Sequence, residues 1–101
     1  MNKLDVVFVR IYLTDGEGRM EDLLRRLHDE EKVQGVTVFR GISGFGKSGR
    51  LHSSSLLDMS LELPLVIEFF DVPQKVGNIL EHLCKDIEPG HIVSWPGMLV
   101  V

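Results

Sequence analysis

Residues 39–55, FRGISGFGKSGRLHSSS, concentrate the residue types in this chain that could do chemistry. Gly41, Gly44 and Gly46 fall within six residues, and Lys47, Gly49, Arg50, His52 and three serines follow. Glycine lets a backbone approach a ligand closely and aim its N–H groups at one anion, and a lysine beside such a nest adds charge. The pattern is neither G-x-G-x-x-G nor a Walker sequence, however, and glycine-rich links between strands are commonly just turns. Two readings stand side by side: a flexible connection, or an anion cradle with a basic tip.

The other reactive residue types point away from catalysis. His52 adjoins Ser53, Ser54 and Ser55, but no nucleophile elbow or oxyanion-hole sequence accompanies them. His28, His52, His82 and His91 lack the close His/Cys/carboxylate spacing of a metal site. Cys84 falls on an apolar helical stripe, which assigns it to packing. Arg10, Arg40 and Glu68 interrupt apolar strands, so each is paired, at an edge, or facing a site. Arg40 lies nearest the glycine-rich loop, and its planar five-donor head suits a phosphate. Trp95 reads as a core or interface aromatic.

These residues must be positioned by ordinary elements. LDVVFVRIYL (4–13) is rich in β-branched and aromatic residues and reads as a strand. Met20, Leu23, Leu24 and Leu27 recur at helical spacing after the turn residues 14–18, which predicts a helix ending near Gly35. VTVFRGI (36–42) and LPLVIEFFD (63–71) read as strands. Pro73 can open a second helix, along which Val76, Ile79, Leu80, Leu83, Cys84 and Ile87 form one stripe before Pro89 and Gly90 end it. HIVSWPGMLVV (91–101) returns to strand character, with Pro96 and Gly97 marking a bend or an edge. The order strand, helix, strand, strand, helix, strand is the split βαβ pattern, an α+β ferredoxin-like βαββαβ sandwich with two helices on one face of a four-stranded antiparallel sheet. Because the strands are apolar on both sides, the bare sheet face calls for a cover, which sheet-to-sheet packing in a homo-oligomer would supply.

With 101 residues, 44% hydrophobic and 26% charged, the chain fits one globular domain spanning 1–101. A net charge of −4 excludes general affinity for nucleic acid, so any anion site must be local. A single cysteine excludes an internal disulfide, and the N-terminal apolar stretch is interrupted by Asp5 and Arg10. A cytoplasmic protein with no membrane insertion is expected.

The runs GVTVFRGISGFG (35–46) and LHSSSLLDMSLELPLVIEFFD (51–71), with the six-element order, resemble the PII-like family of domain of unknown function 190, and GFGK (44–47) is similar to the T-loop start of PII signalling proteins. The resemblance implies a homotrimer that holds an adenine nucleotide between subunits. It places nucleotide contacts on Gly44, Phe45, Gly46 and Lys47. A second loop, EPGH (88–91), would line the phosphates with Gly90 and His91. His91 stands where PII proteins have lysine, which favours AMP or ADP over ATP. The tip, with Arg50, His52, Ser53 and Ser54, would engage a target protein such as a transporter or enzyme. No cofactor is required and no reaction is implied. The alternatives are a metal-handling protein or small enzyme on the same trimeric fold, as in the copper-tolerance proteins, or a trimeric interaction module without a small ligand.

Overall fold

The computed structural model describes residues 1–14, 18–45, 52–53 and 63–101. Its elements are β1 (Lys3–Thr14), α1 (Arg19–Arg25) running into a π-helical turn (Arg26–Glu30), β2 (Gly35–Arg40), β3 (Ser43–Gly44), β4 (His52–Ser53), β5 (Pro64–Asp71), α2 (Pro73–Leu83) and β6 (Ile92–Val100). Four strands pair antiparallel in the order β2-β5-β1-β6, and β3 with β4 makes a separate short hairpin. The expected α+β architecture is therefore present.

Alternation along the central strands sorts side chains between two faces. Val9, Ile11 and Leu13 of β1 and Leu65, Ile67 and Phe69 of β5 are buried in one cluster with Leu23, Leu27, Val76, Ile79, Leu83 and Ile87 from the helical layer. Each buried aliphatic or aromatic side chain contributes about 1.5–3 kcal/mol relative to exposure, so this layer holds the helices to the sheet. The intervening residues face the other way. There Arg10 stands opposite Glu68, with Nε 2.6 Å from Oε1, and Phe8 stands between Phe70 and Trp95 with ring centroids at 5.3 and 5.5 Å. The Arg10 guanidinium lies 5.4 Å from the Trp95 ring and 6.0 Å from that of Phe39, so a cation–π band crosses the sheet. The Glu68 hydrogen bond first, and Tyr12 second, hold the Arg10 pKa above its ordinary value. Arg10 and Glu68 are thus paired with each other, one of the outcomes foreseen for charges on apolar strands. Tyr12, Phe39, Val93 and Trp95 each remain more than a third exposed, so among the described residues nothing covers this face.

Several boundaries differ from the sequence reading. The first helix ends at Glu30 rather than near Gly35: Glu31 N–H donates to the Arg26 carbonyl at 2.9 Å, closing the π turn, and Lys32 leaves it at φ 53°. A lysine supplies the left-handed exit that glycine usually provides. β2 stops at Arg40, two residues early, because Ser43 and Gly44 pair with the hairpin instead. α2 stops at Leu83, so Cys84 is exposed at its C-cap and its thiol donates to the Glu81 carbonyl. The assignment of Cys84 to core packing is corrected accordingly. β6 continues through Pro96 and Gly97 as an edge strand, where proline is tolerated.

Asp71 joins β5, α2 and the 31–34 connection. Its carboxylate, 3% exposed, accepts from the backbone N–H of Val72 (2.8 Å) and Gln34 (3.2 Å) and pairs with Lys75 at 3.1 Å. Burial opposes its charge, but these partners outweigh burial and its pKa lies below the ordinary value. A depressed carboxylate stabilises the fold above its unfolded pKa, and that contribution disappears as pH falls through the folded value. Asp71→Asn should lower stability near neutral pH by about 2 kcal/mol, and the gap from the parent should narrow as pH drops below about 4. Urea unfolding at several pH values reads both.

Gly97 makes room for the aromatic band. A Cβ there would sit 2.4 Å from Phe8 Cε2, so the ring would have to leave its stack with Trp95. Gly97→Ala should cost about 1–3 kcal/mol and alter the near-ultraviolet circular dichroism of Trp95, whereas Gly77→Ala, which meets nothing within 4 Å, should not change that signal.

Candidate functional site

Antiparallel pairing brings the end of β2, the end of β1, the start of β5 and the start of β6 to one end of the sheet. The register is explicit: Arg40 pairs with Leu65, Thr14 with Pro64, and Ile11 with Ile92. Segment 41–45 and turn 88–91 therefore open at the same end, although 42 residues lie between them in the chain.

Pro64 organises the first of these loops. Gly41 N–H donates to the Pro64 carbonyl at 2.7 Å, and a Cβ on Gly41 would lie 2.8 Å from Pro64 Cγ. A Cβ on Gly44 would lie 3.3 Å from the same atom. The chain's own proline ring thus requires glycine at 41 and leaves little room for a side chain at 44, a role their spacing did not disclose. Past this contact the hairpin forms, with Ser43 opposite Ser53 and Gly44 opposite His52. Ile42 and Phe45 are both exposed, at 77% and 74%. Arg40 is exposed at the end of β2, on the same approach. Gly46, Lys47, Arg50 and Ser54, singled out from the sequence, lie outside the described residues, and His52 and Ser53 are described as strand only.

The second loop is held by β1. Gly90 adopts φ 91°, a conformation that favours glycine, and delivers His91 to the edge of β1. Tyr12 N–H donates to the His91 carbonyl at 2.8 Å. The His91 Nδ1 lies 2.9 Å from the Tyr12 carbonyl oxygen. A carbonyl can only accept, so Nδ1 carries the hydrogen. Nε2 points outward, 3.8 Å from Glu88 Oε2. The Gly41 contact sits on β5 and the His91 contact on β1, adjacent strands about 5 Å apart in the pairing direction. Arg40, Gly44 and Phe45 on the β2 edge and Gly90 with His91 on the β6 edge thus share one end of the sheet; a backbone carbonyl as the partner of His91 left no mark in the sequence.

A cavity of about 480 Å³ lies elsewhere, between α1 and the start of β2, lined by residues including Leu24, His28, Val33 and Val36. Its charged rim is already paired: Arg25 with Asp22 and Glu30, and His28 with Asp29. Hydrogen bonding to His28 holds the Asp29 pKa below its ordinary value. Among the described residues, no group of three or more His, Cys, Asp or Glu side chains is placed to hold a metal ion, and no helix is long and apolar enough to cross a membrane.

Comparison with solved structures places this architecture among PII-like proteins. CPII of Thiomonas intermedia K12, bound to ADP and bicarbonate, is similar at a TM-score of 0.68 over 99% of this chain and 91% of its own, with 22% identity. A further structure of CPII, described as a nitrogen regulatory PII-like protein bound to ADP, AMP and bicarbonate, matches at 0.66 over 100% and 99%, with 21% identity. CutA1 of Oryza sativa shares the fold at 0.59 over 98% and 84%, with 9% identity. The fold is thus the ferredoxin-like fold of PII-like proteins. Within it, the chain belongs to the family DUF190, described as an uncharacterized ACR, whose sequence model matches residues 6–97. A UPF0166 protein of Aquifex aeolicus is 39% identical over 75 residues, covering 74% of this chain and 76% of the relative.

The Gly41 geometry carries its own prediction. Gly41→Ala forces the new methyl against the Pro64 ring, which should cost about 1–3 kcal/mol and speed amide exchange at Gly41 and Gly44, while exchange at Val9 and Ile11 in the centre of β1 follows only the global loss.

Proposed function

We propose that this chain is a non-enzymatic regulatory subunit, one domain over 1–101, that assembles as a cytoplasmic homotrimer and binds an adenine nucleotide of AMP or ADP type between subunits. The observation that carries the reading is that the Gly41–Phe45 hairpin base and the Gly90–His91 turn open at the same end of the sheet, at its two edges, in a fold that in CPII holds ADP. The uncovered aromatic face supports the trimer: an ion pair already satisfied within the protomer, with aromatics on both sides of it, can be buried without leaving a charge unpaired.

In this arrangement Gly44, Phe45, Gly46, Lys47 and Arg40 approach the ligand from one loop and Gly90 with His91 from the other. Bound nucleotide favours one order of residues 47–60, and Arg50, His52, Ser53 and Ser54 then engage a target protein, a transporter or an enzyme, with no bond broken. A ligand can act in this way only by preferring one of the two loop states. CutA1 shares the fold, but no described cluster supports metal handling, and fold alone does not decide function.

Calorimetry with AMP, ADP and ATP tests the reading on protein whose trimeric state is checked by sedimentation. Binding of AMP or ADP is expected, weakened on the order of tenfold by Lys47→Ala through loss of a charge-assisted contact, and weakened also by Gly46→Ala. A folded trimer that binds none of the three would overturn the nucleotide assignment and leave residues 47–60 as a protein-binding element alone.

A further inference from the structure

We propose that His91 is a proton-operated phosphate contact, so that affinity for a phosphate-bearing effector falls as pH rises through the titration of this imidazole. The inference rests on the nucleotide site proposed above and adds its regulation. A neutral imidazole has one N–H, and here the Tyr12 carbonyl takes it at Nδ1. What remains toward solvent is the Nε2 lone pair, an acceptor. Phosphate oxygens also accept, so neutral His91 offers a phosphate nothing, and turning the ring to present Nδ1 would forfeit the Tyr12 bond. Protonation leaves that bond intact and converts Nε2 from acceptor to charged donor. Histidine is the side chain whose ordinary charge change lies between about pH 5 and 8.

The groups around the ring are consistent with such a switch. Glu88, in the same turn, is the carboxylate facing Nε2, at 3.8 Å, and it is largely exposed, so a phosphate can displace it. From β1 the facing group is Tyr12, whose side chain interacts with Arg10, and Arg10 is itself committed to Glu68. Among the described charged groups, Glu88 alone is placed to compete with a phosphate for the imidazolium. A lysine at position 91 would stay charged throughout this range; histidine makes the contact conditional.

Calorimetry of AMP and of adenosine with the parent, His91→Lys and His91→Gln between about pH 5.5 and 8.5 tests this. AMP itself loses charge below about pH 6, so the quantity to read is the ratio of parent to His91→Lys affinity at each pH. That ratio should fall on the order of tenfold from the acid to the alkaline end. Buffers of different ionisation enthalpy should show the parent, but not His91→Lys, taking up a proton as AMP binds. Adenosine, without phosphate, should show no such dependence in any protein. His91→Gln keeps an N–H for the Tyr12 carbonyl; thermal melting shows whether it is folded, and its AMP affinity should follow the ligand's titration alone. The imidazole signal of His91 in NMR should titrate at higher pH with AMP present. A flat ratio with no proton uptake, while AMP still binds, overturns this inference alone. AMP that binds none of the three proteins at any pH overturns the nucleotide site and this inference with it.

Discussion

The central strands β1 and β5 carry apolar side chains on both faces, while the helical layer packs on one. The rest of the structure follows from that constraint. The helix face is closed by Val9, Ile11, Leu13, Leu65, Ile67 and Phe69 packing under Leu23, Leu27, Val76, Ile79 and Leu83. On the other face, aromatic rings gather round a single ion pair, Arg10 with Glu68. The glutamate opposite neutralises an arginine that would otherwise stand as a lone charge among these rings.

The same sheet sets where the two loops lie. Antiparallel order brings two loops distant in sequence to one end, and each is fixed to a central strand by backbone hydrogen bonds: Gly41 to Pro64 on β5, His91 to Tyr12 on β1. Backbone attachment makes loop position depend little on the side chains displayed. Phe45, Arg40 and the outward edge of His91 can therefore vary in chemistry while the frame remains.

Much of the fold was legible in the sequence. β-branched runs and helical stripes are local signals, and their order was enough to specify the ferredoxin-like topology and the family resemblance. The misreadings have local causes too. Gly35 was taken as the signal that ends the first helix, but Lys32 makes the left-handed exit, a choice that only tertiary contacts reward: its carbonyl accepts from Lys75 on α2. Cys84 continued an apolar periodicity by one residue after α2 had ended, so it faces solvent. Gly41 and Gly44 fit a plain turn or an anion cradle equally by their spacing; that a Cβ at Gly41 would clash with Pro64 shows only in the structure. The two glycine-bearing loops of the candidate site were legible in the sequence. Their opening at the same end of the sheet was not, because it arises from strand register, and neither was the tautomer of His91, because it depends on a carbonyl 79 residues away.

The π turn at Arg26–Glu30 has a consequence for how this chain can vary in length. A bond from residue 31 back to residue 26 encloses one residue more than an α-helical turn would. That residue is slack stored within the helix, just before the chain crosses to the edge strand β2. Deleting one residue there would let the turn close to α-helical geometry while Leu23 and Leu27 keep their seats in the core. The crossing to β2 is thus the point in this layer where chain length can change by one without disturbing the sheet that positions the loops.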